Sequence, residues 1–260
     1  MGAERVGLAA GTDSSHNSKM PTRSRPKRPV TPKPPDPAHV LVIDVGGSHV
    51  KFRMGARGAI RRFVSGPDMT AADMARRVRK LARDLPYEAV AIGYPGLVLR
   101  GRIAAEPYNL GQGWVGYDFQ KAFERPVRVI NDATMQALGS YEGGRMLFLG
   151  LGTGLGATLI LDGVVEPMEI GHMPYKRGHT FEDYAGERGR KKLGNKKWRK
   201  AVAEVVIRLK EVLEADYVVL GGGNAVRLKE LPEGVRLGDN LNAFKGGLRL
   251  WRDAPVGAKR

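Results

Sequence analysis

The chain has 260 residues, no cysteine, and a formal charge of +16 from 43 Lys and Arg against 27 Asp and Glu. That length allows one large domain or two small ones, and 42% apolar residues is too many for a wholly disordered chain. The missing cysteines exclude a disulfide framework, a thiolate nucleophile and any Cys-based zinc site, while the charge points to polyanions: nucleic acid, anionic lipid or a phosphate-rich substrate.

Residues 1–38 hold 7 basic and 3 acidic side chains, many prolines and almost no large apolar residue, and read as a disordered basic tail. The opening MGAERVGLAAG lacks the apolar core of a signal peptide. The longest uncharged run, Met146–Leu161, has 16 residues and four glycines, short of the ~18 that a membrane-spanning helix needs. A soluble, cytoplasmic protein with no membrane partner is expected.

His39–Ile43 reads as a strand entering the turn Asp44-Val-Gly46-Gly47-Ser48. Val50–Met54 and Ala59–Val64 complete a three-stranded meander. Thr70–Asp84 has the apolar spacing of an amphipathic helix, and Ala89–Gly93 is a short buried strand. After a long loop come a helix over Asp118–Phe123, a strand over Val127–Ile130, and the helix Ala133–Tyr141 capped by Asn131-Asp132. Met146–Leu151 leads into a second glycine turn, Gly150-Leu-Gly152-Thr153-Gly154-Leu-Gly156, and Ala157–Leu161 with Val164–Val165 forms a hairpin. Lys197–Glu214 reads as a long helix, Tyr217–Leu220 as a strand ending in Gly221-Gly222-Gly223, Asn224–Leu231 as a helix, Val235–Leu237 as a strand and Ala243–Trp251 as the closing helix. The order is α/β, with a strand–glycine–hairpin unit opening each of two faintly related halves.

Both glycine turns suit phosphate, because backbone N–H groups can approach its oxygens where no Cβ intervenes. Taken singly, each is equally an ordinary tight turn. The loose G-x-G-x-x-A at Gly152–Ala157 is followed by β-like ATLIL rather than a helix, which disfavours a dinucleotide fold, and no Walker A sequence occurs. Asp44 at a strand end can hold magnesium or serve a turn, and Asp132 at a strand–helix junction can act as a general base or as a cap. Glu169-Ile-Gly-His172 places an acid and an imidazole where they can meet vicinal hydroxyls, or simply each other. Arg188–Lys200 packs 8 basic residues and no acid, which is either a solvated face or a polyanion contact.

In order, however, these segments resemble the ROK family of sugar kinases. DVGGSHVK at 44–51 is similar to the family's first phosphate motif and GYPG at 93–96 to its G-x-P-G loop. PYNLGQGW at 107–114 resembles the stretch before the sugar pocket, and NDATMQALG at 131–139 the NDANAAALGE signature, with Thr134 in place of Asn. LGLGTGLGATLI at 149–160 looks like the second phosphate motif, EIGHM at 169–173 the E-x-G-H element and VVLGGG at 218–223 a late nucleotide-side loop. The cysteine-rich zinc run of many members is replaced by Lys176–Glu182, so no zinc site is expected, and the chain looks most like the polyphosphate-dependent glucokinase branch.

The resemblance implies an actin-like, hexokinase-type ATPase fold (ribonuclease H-like), with two lobes at 39–142 and 143–260 and a cleft between them. It implies phosphoryl transfer from ATP or polyphosphate to the 6-hydroxyl of a hexose, glucose by default, with Asp132 as the base. Asn131, Glu169, His172 and Glu182 would hold the sugar. Asp44, Gly46, Gly47, Ser48, Lys51, Gly152, Thr153, Gly154, Gly221 and Gly222 would hold the donor, with Mg2+ near Asp44. Arg188–Lys200 would meet a polyanionic donor, and a homodimer without a specific nucleic-acid partner is expected. The rival readings are a sugar-responsive regulator, for which the first 38 residues supply no helix-turn-helix, and a non-catalytic polyanion- or nucleic-acid-binding protein.

Overall fold

In the computed structural model, the described residues are 34–239 and 241–252. The expected tail falls outside them except at its end, where Asp36 caps a 3-10 turn over Pro37–His39.

Two five-stranded sheets carry the fold. The first comprises β1 (Val40–Val45), β2 (His49–Met54), β3 (Arg61–Val64), β4 (Ala89–Tyr94) and, beyond the two-residue strands β5 (Val98–Leu99) and β6 (Arg102–Ile103), β7 (Val127–Asn131). The second comprises β8 (Arg145–Leu151), β9 (Leu155–Leu161), β10 (Val164–Met168), β11 (Tyr217–Gly221) and β12 (Val235–Leu237). The strand orders are β3-β2-β1-β4-β7 and β10-β9-β8-β11-β12. Each sheet is thus an antiparallel meander followed by two parallel strands, the same path taken twice.

The helices are α1 (Ala71–Leu81), α2 (Phe119–Phe123), α3 (Asp132–Ser140), α4 (Phe181–Ala185), α5 (Glu187–Val212) and α6 (Asn242–Arg252). Period-2 alternation explains the layering. On β1, Leu41 and Ile43 pack outward with Met74 and Val78 of α1, while Val40 and Val42 face inward. On β8, Met146 and Phe148 face inward, and Leu147 and Leu149 pack outward with Trp198, Val202 and Val205 of α5. Strands covered on both faces read as continuous apolar runs, as β1 and β4 do.

The inner layer between the sheets is the pair α3 and α6. Met135 and Leu138 of α3 meet Phe244, Leu250 and Trp251 of α6 in one core with both sheets. The sequence assigns Asn242–Arg252 to the second half; the structure lays it on the first sheet, where Gly247 sits directly against Val42 and the Arg53 guanidinium lies 4.7 Å over the Phe244 ring. Small residues allow this approach, since a Cβ at Gly246 would strike the Met135 carbonyl.

Two helix expectations change. The long helix begins ten residues early, at Glu187, and is interrupted at Gly194, whose φ of 73° breaks the helical path. The expected helix over Asn224–Leu231 shrinks to a 3-10 turn at Ala225–Arg227, and Asn224 before it donates its N–H and its amide to the carbonyls of Leu151 and Gly152.

Candidate active site

Strand register brings the first site elements together. Asp44 stands opposite Lys51 on β2 and beside Gly93 on β4, and β4 in turn pairs with β7, which ends at Asn131. Gly93 leaves room for α3 to start immediately alongside: a side chain there would collide with Met135 and meet the Asp132 Cα at 3.5 Å. On its other flank the α3 start touches the second sheet, with Ala133 3.1 Å from where a Cβ on Gly156 would lie and 3.8 Å from one on Gly150. Asp132 therefore sits at a helix N-terminus held between the two glycine turns.

Asn131 is the N-cap of α3. Its Oδ1 accepts from Thr134 N–H at 3.1 Å, and its Nδ2 donates to the Gly96 carbonyl at 3.1 Å, which ties the G-x-P-G loop to the helix start. Thr134, fully buried, pairs its hydroxyl with that of Thr158 on β9 at 3.0 Å and bolts α3 to the second sheet. The Asp132 carboxylate accepts from Ala133 N–H at 2.8 Å. Burial, and then the neighbouring Asp44 charge, push its pKa up to about 7. Burial also raises Asp44, against the pull of Lys51. Two carboxylates crowd one another here, with the helix dipole favouring the ionised form of Asp132.

The two turns present their amides in the same way. In the first, Gly46 N–H bonds back to the His49 carbonyl at 3.0 Å, and the Gly46 carbonyl accepts from the Ser65 hydroxyl at 2.8 Å. A trans peptide points its C=O and the next N–H in opposite directions, so the Gly47 N–H is aimed away from Ser65. In the second turn, Gly152 N–H is shared between the Gly150 and Gly154 carbonyls, both at 3.1 Å. The carbonyls of Gly152 and Thr153 accept from Glu187 N–H at 3.1 and 3.2 Å. The N–H groups of Thr153 and Gly154 consequently face the other way, as an anion-binding nest does. Gly46 and Gly152, expected to offer their amides to phosphate, use them inside their own turns; among the described residues no acceptor takes the amides of Gly47, Ser48, Thr153 or Gly154.

The remaining expected residues cluster around the second turn. Glu182, on the capped helix α4, accepts from Leu155 N–H at 3.0 Å and occupies the space that a Gly154 side chain would need. Gly171 lies within the same group, 2.7 Å from the Leu155 carbonyl and 3.6 Å from the Glu182 carboxylate as measured from its own Cβ position. Glu169 and His172 flank it with exposed side chains 4.0 Å apart. Among the described residues, no hydrogen bond or ion pair joins this cluster to Asn131 or Asp132. Gly221 pairs with Gly150, and Gly222, at φ 82°, is pressed against Leu151.

Sequence reasoning missed two groups. Asn109 stands 3.4 Å from the Cβ position of Gly47, on a loop fixed by the Glu106 carboxylate, which accepts from Trp114 and Val115 N–H; its place within PYNLGQGW was the available signal. Behind the second turn, Glu187 holds Arg190 in a two-point ion pair at 2.8 and 2.7 Å, and Asn224 donates to the Gly152 carbonyl. Arg190 and Asn224 together hold the Glu187 carboxyl down to about 2.

Among the described residues no cluster of three His, Cys, Asp or Glu forms a metal cage. Magnesium needs less, since it keeps waters and takes phosphate oxygens beside one or two carboxylates. The Asp44–Asp132 pair, two crowded carboxylates with Lys51 beside Asp44, fits such an ion.

The ROK family profile matches residues 40–192. Polyphosphate glucokinase of Mycobacterium tuberculosis is 25% identical over 224 residues, covering 78% of this chain and 84% of that protein. Kanosamine kinase of Amycolatopsis mediterranei is 32% identical over 166 residues, but this chain spans only 54% of its length, from 57% of its own. The crystal structure of inorganic polyphosphate/ATP-glucomannokinase from Arthrobacter sp. strain KM superposes with a TM-score of 0.69 at 23% identity, covering 80% of this chain and 96% of that one. The actin-like, hexokinase-type fold is thereby shown.

Proposed function

This chain belongs to the ROK family, and we propose that it is a sugar kinase that transfers a phosphoryl group from polyphosphate or ATP to the 6-hydroxyl of glucose or a close hexose. The observation that carries the reading is the position of Asp132: a carboxylate at a helix start, flanked by two turns whose unused amides face outward. Phosphoryl transfer asks chiefly for positioning and charge neutralisation, and this arrangement supplies both. Asp132, raised to about 7, takes the hydroxyl proton near neutral pH, where a base of that strength is most effective. Asn131, Asn109, Glu169, His172 and Glu182 surround the sugar, so that an analogue lacking a hydroxyl leaves buried polar groups unpaired. The amides of Gly47, Ser48, Thr153 and Gly154 hold donor phosphates, and Lys51 adds a positive charge beside Asp44. Magnesium at Asp44 would offset the charge on the phosphates when bound.

Polyphosphate is favoured as a donor by the first turns of α5. Arg188, Lys191, Lys192, Lys196 and Lys197 are exposed along a helix whose Glu187 N–H bonds the second glycine turn. Such a row of cations suits a long polyanion. Initial rates on glucose with ATP and with polyphosphate test the reading. Turnover with at least one donor is expected, and its absence with both, on glucose, mannose and fructose alike, overturns it.

A further inference from the structure

Catalysis draws on the side of the second glycine turn that faces the donor; the opposite side is also occupied. Glu187 is fixed by its own N–H, which donates to the Gly152 and Thr153 carbonyls at 3.1 and 3.2 Å, and by its carboxylate, which holds Arg190 at two points. Asn224 comes from the loop after β11 and donates its N–H to the Leu151 carbonyl at 2.9 Å and its amide to the Gly152 carbonyl at 3.2 Å. Arg190 reaches further, to Asn195 at 3.3 Å across the Gly194 break. Three successive carbonyls, those of Leu151, Gly152 and Thr153, are therefore all held from behind by residues of one small network. Since each peptide is planar and trans, holding its carbonyl fixes the direction of the next amide. The network therefore sets the aim of the Thr153 and Gly154 N–H groups.

We propose that Glu187, Arg190 and Asn224 form a positioning bracket that pre-organises the donor-phosphate amides of the second turn, acting on donor affinity rather than on the sugar or the base. The inference rests on the phosphate reading of that turn. Ordering a glycine turn costs conformational entropy at every residue. A bracket that meets this cost during folding spares it during donor binding, which is how pre-organisation raises affinity. Among the described residues, no hydrogen bond or ion pair joins the side chains of Glu187, Arg190 or Asn224 to those of Asn131, Asp132, Glu169, His172 or Glu182, so the effect is directed at the donor.

Glu187→Gln keeps the shape and the backbone bonds but removes the charge that clamps Arg190. Its KM for ATP and for polyphosphate is expected to rise about 10-fold while kcat and the glucose KM stay within twofold, and Asn224→Ala is expected to follow the same split. Arg190→Lys, which retains a cation, is expected to recover part of the loss seen in Arg190→Gln. The double variant Glu187→Gln/Arg190→Gln should be no worse than either single one, as for residues acting as a unit. Donor and sugar KM values rising together, a fall in kcat alone, or no change in donor KM in properly folded protein each overturn the bracket. Calorimetric binding of tripolyphosphate provides a readout that needs no turnover. If the wild type binds it but phosphorylates no hexose, a tenfold weaker Glu187→Gln complex sustains the bracket while the kinase reading fails. Equal affinity, or a wild type that binds neither tripolyphosphate nor ATP, overturns the bracket.

Discussion

The two halves share one strand path and one kind of turn but hold those turns differently. The first turn is tied from one side by a single residue, Ser65, whose hydroxyl and N–H reach the Gly46 and Ser48 carbonyls. The second is gripped on both sides: Glu187 and Asn224 hold its carbonyls, and Glu182 accepts from the amide that follows it. A duplicated scaffold has thus kept its backbone geometry and divided its chemistry. The lightly held turn sits beside the two aspartates, and the heavily held one is set among the cluster of acids and bases.

The largest test of this contrast lies at Asp132, which belongs to neither turn. Asp132→Asn is expected to lower kcat by at least 10²-fold, the scale of losing a general base, with sugar affinity retained in a binding assay. The same variant should melt at a higher temperature than the wild type at pH 7.5. Burial raises the folded-state pKa to about 7 from an ordinary 3.8, so the unfolded chain binds fewer protons across that interval. Stability then falls as pH rises from about 4 to 7, and asparagine removes this charge penalty. An unchanged kcat would sink the role of the base, and a lower melting temperature the electrostatic account.

Next in size is the glycine contrast. Gly154→Ala drives a methyl group into the Glu182 carboxylate, whereas the Cβ of Gly152→Ala meets nothing within 4 Å and that of Gly47→Ala lies at ordinary contact, 3.4 Å from Asn109. The donor KM should rise ten-fold or more for Gly154→Ala and at most a few-fold for the other two, measured under saturating glucose. Equal effects at Gly47 and Gly154 would erase the distinction between the turns.

A smaller effect is expected in the pH profile. The acid limb of kcat/KM should fall as pH drops through about 7, because Asp132 then gains its proton. Asp44→Asn removes a charge that raises that pKa, so the limb should move to lower pH even though the overall rate declines. Smallest of all, Ser65→Ala deletes one hydroxyl bond to the first turn and should raise the donor KM two- to threefold, about the 0.5–1.5 kcal/mol of a typical hydrogen bond at its lower end.

Most of the strands were legible from local pattern, since β1, β4 and β8 are apolar runs that stop at glycine. Asn131 and Asp132 were legible because a cap announces itself within three residues. The start of α5 was not, because its first seven residues are mostly charged and Gly194 separates them from the apolar spacing that begins at Trp198. The bracket was hidden for another reason. Glu187 and Asn224 are 37 positions apart in the sequence, and only the β8–β11 pairing brings the loop after β11 against the turn after β8. Gly46 and Gly152 illustrate the remaining gap: a glycine motif identifies a turn, but not which of its amides the turn has already used.

The placement of α6 bears on how the chain is made. Val40, Val42, Ala89 and Ala91 of the first sheet share their core with Phe244, Leu250 and Trp251, so β1 and β4 leave the ribosome well before α6, which covers them. Long-range contacts of this kind slow folding and leave apolar surface open in the interval. The first half should therefore gain native protection against hydrogen exchange only after the second half has been synthesised, and nascent chains that stop short of residue 242 should be the ones that chaperones retain.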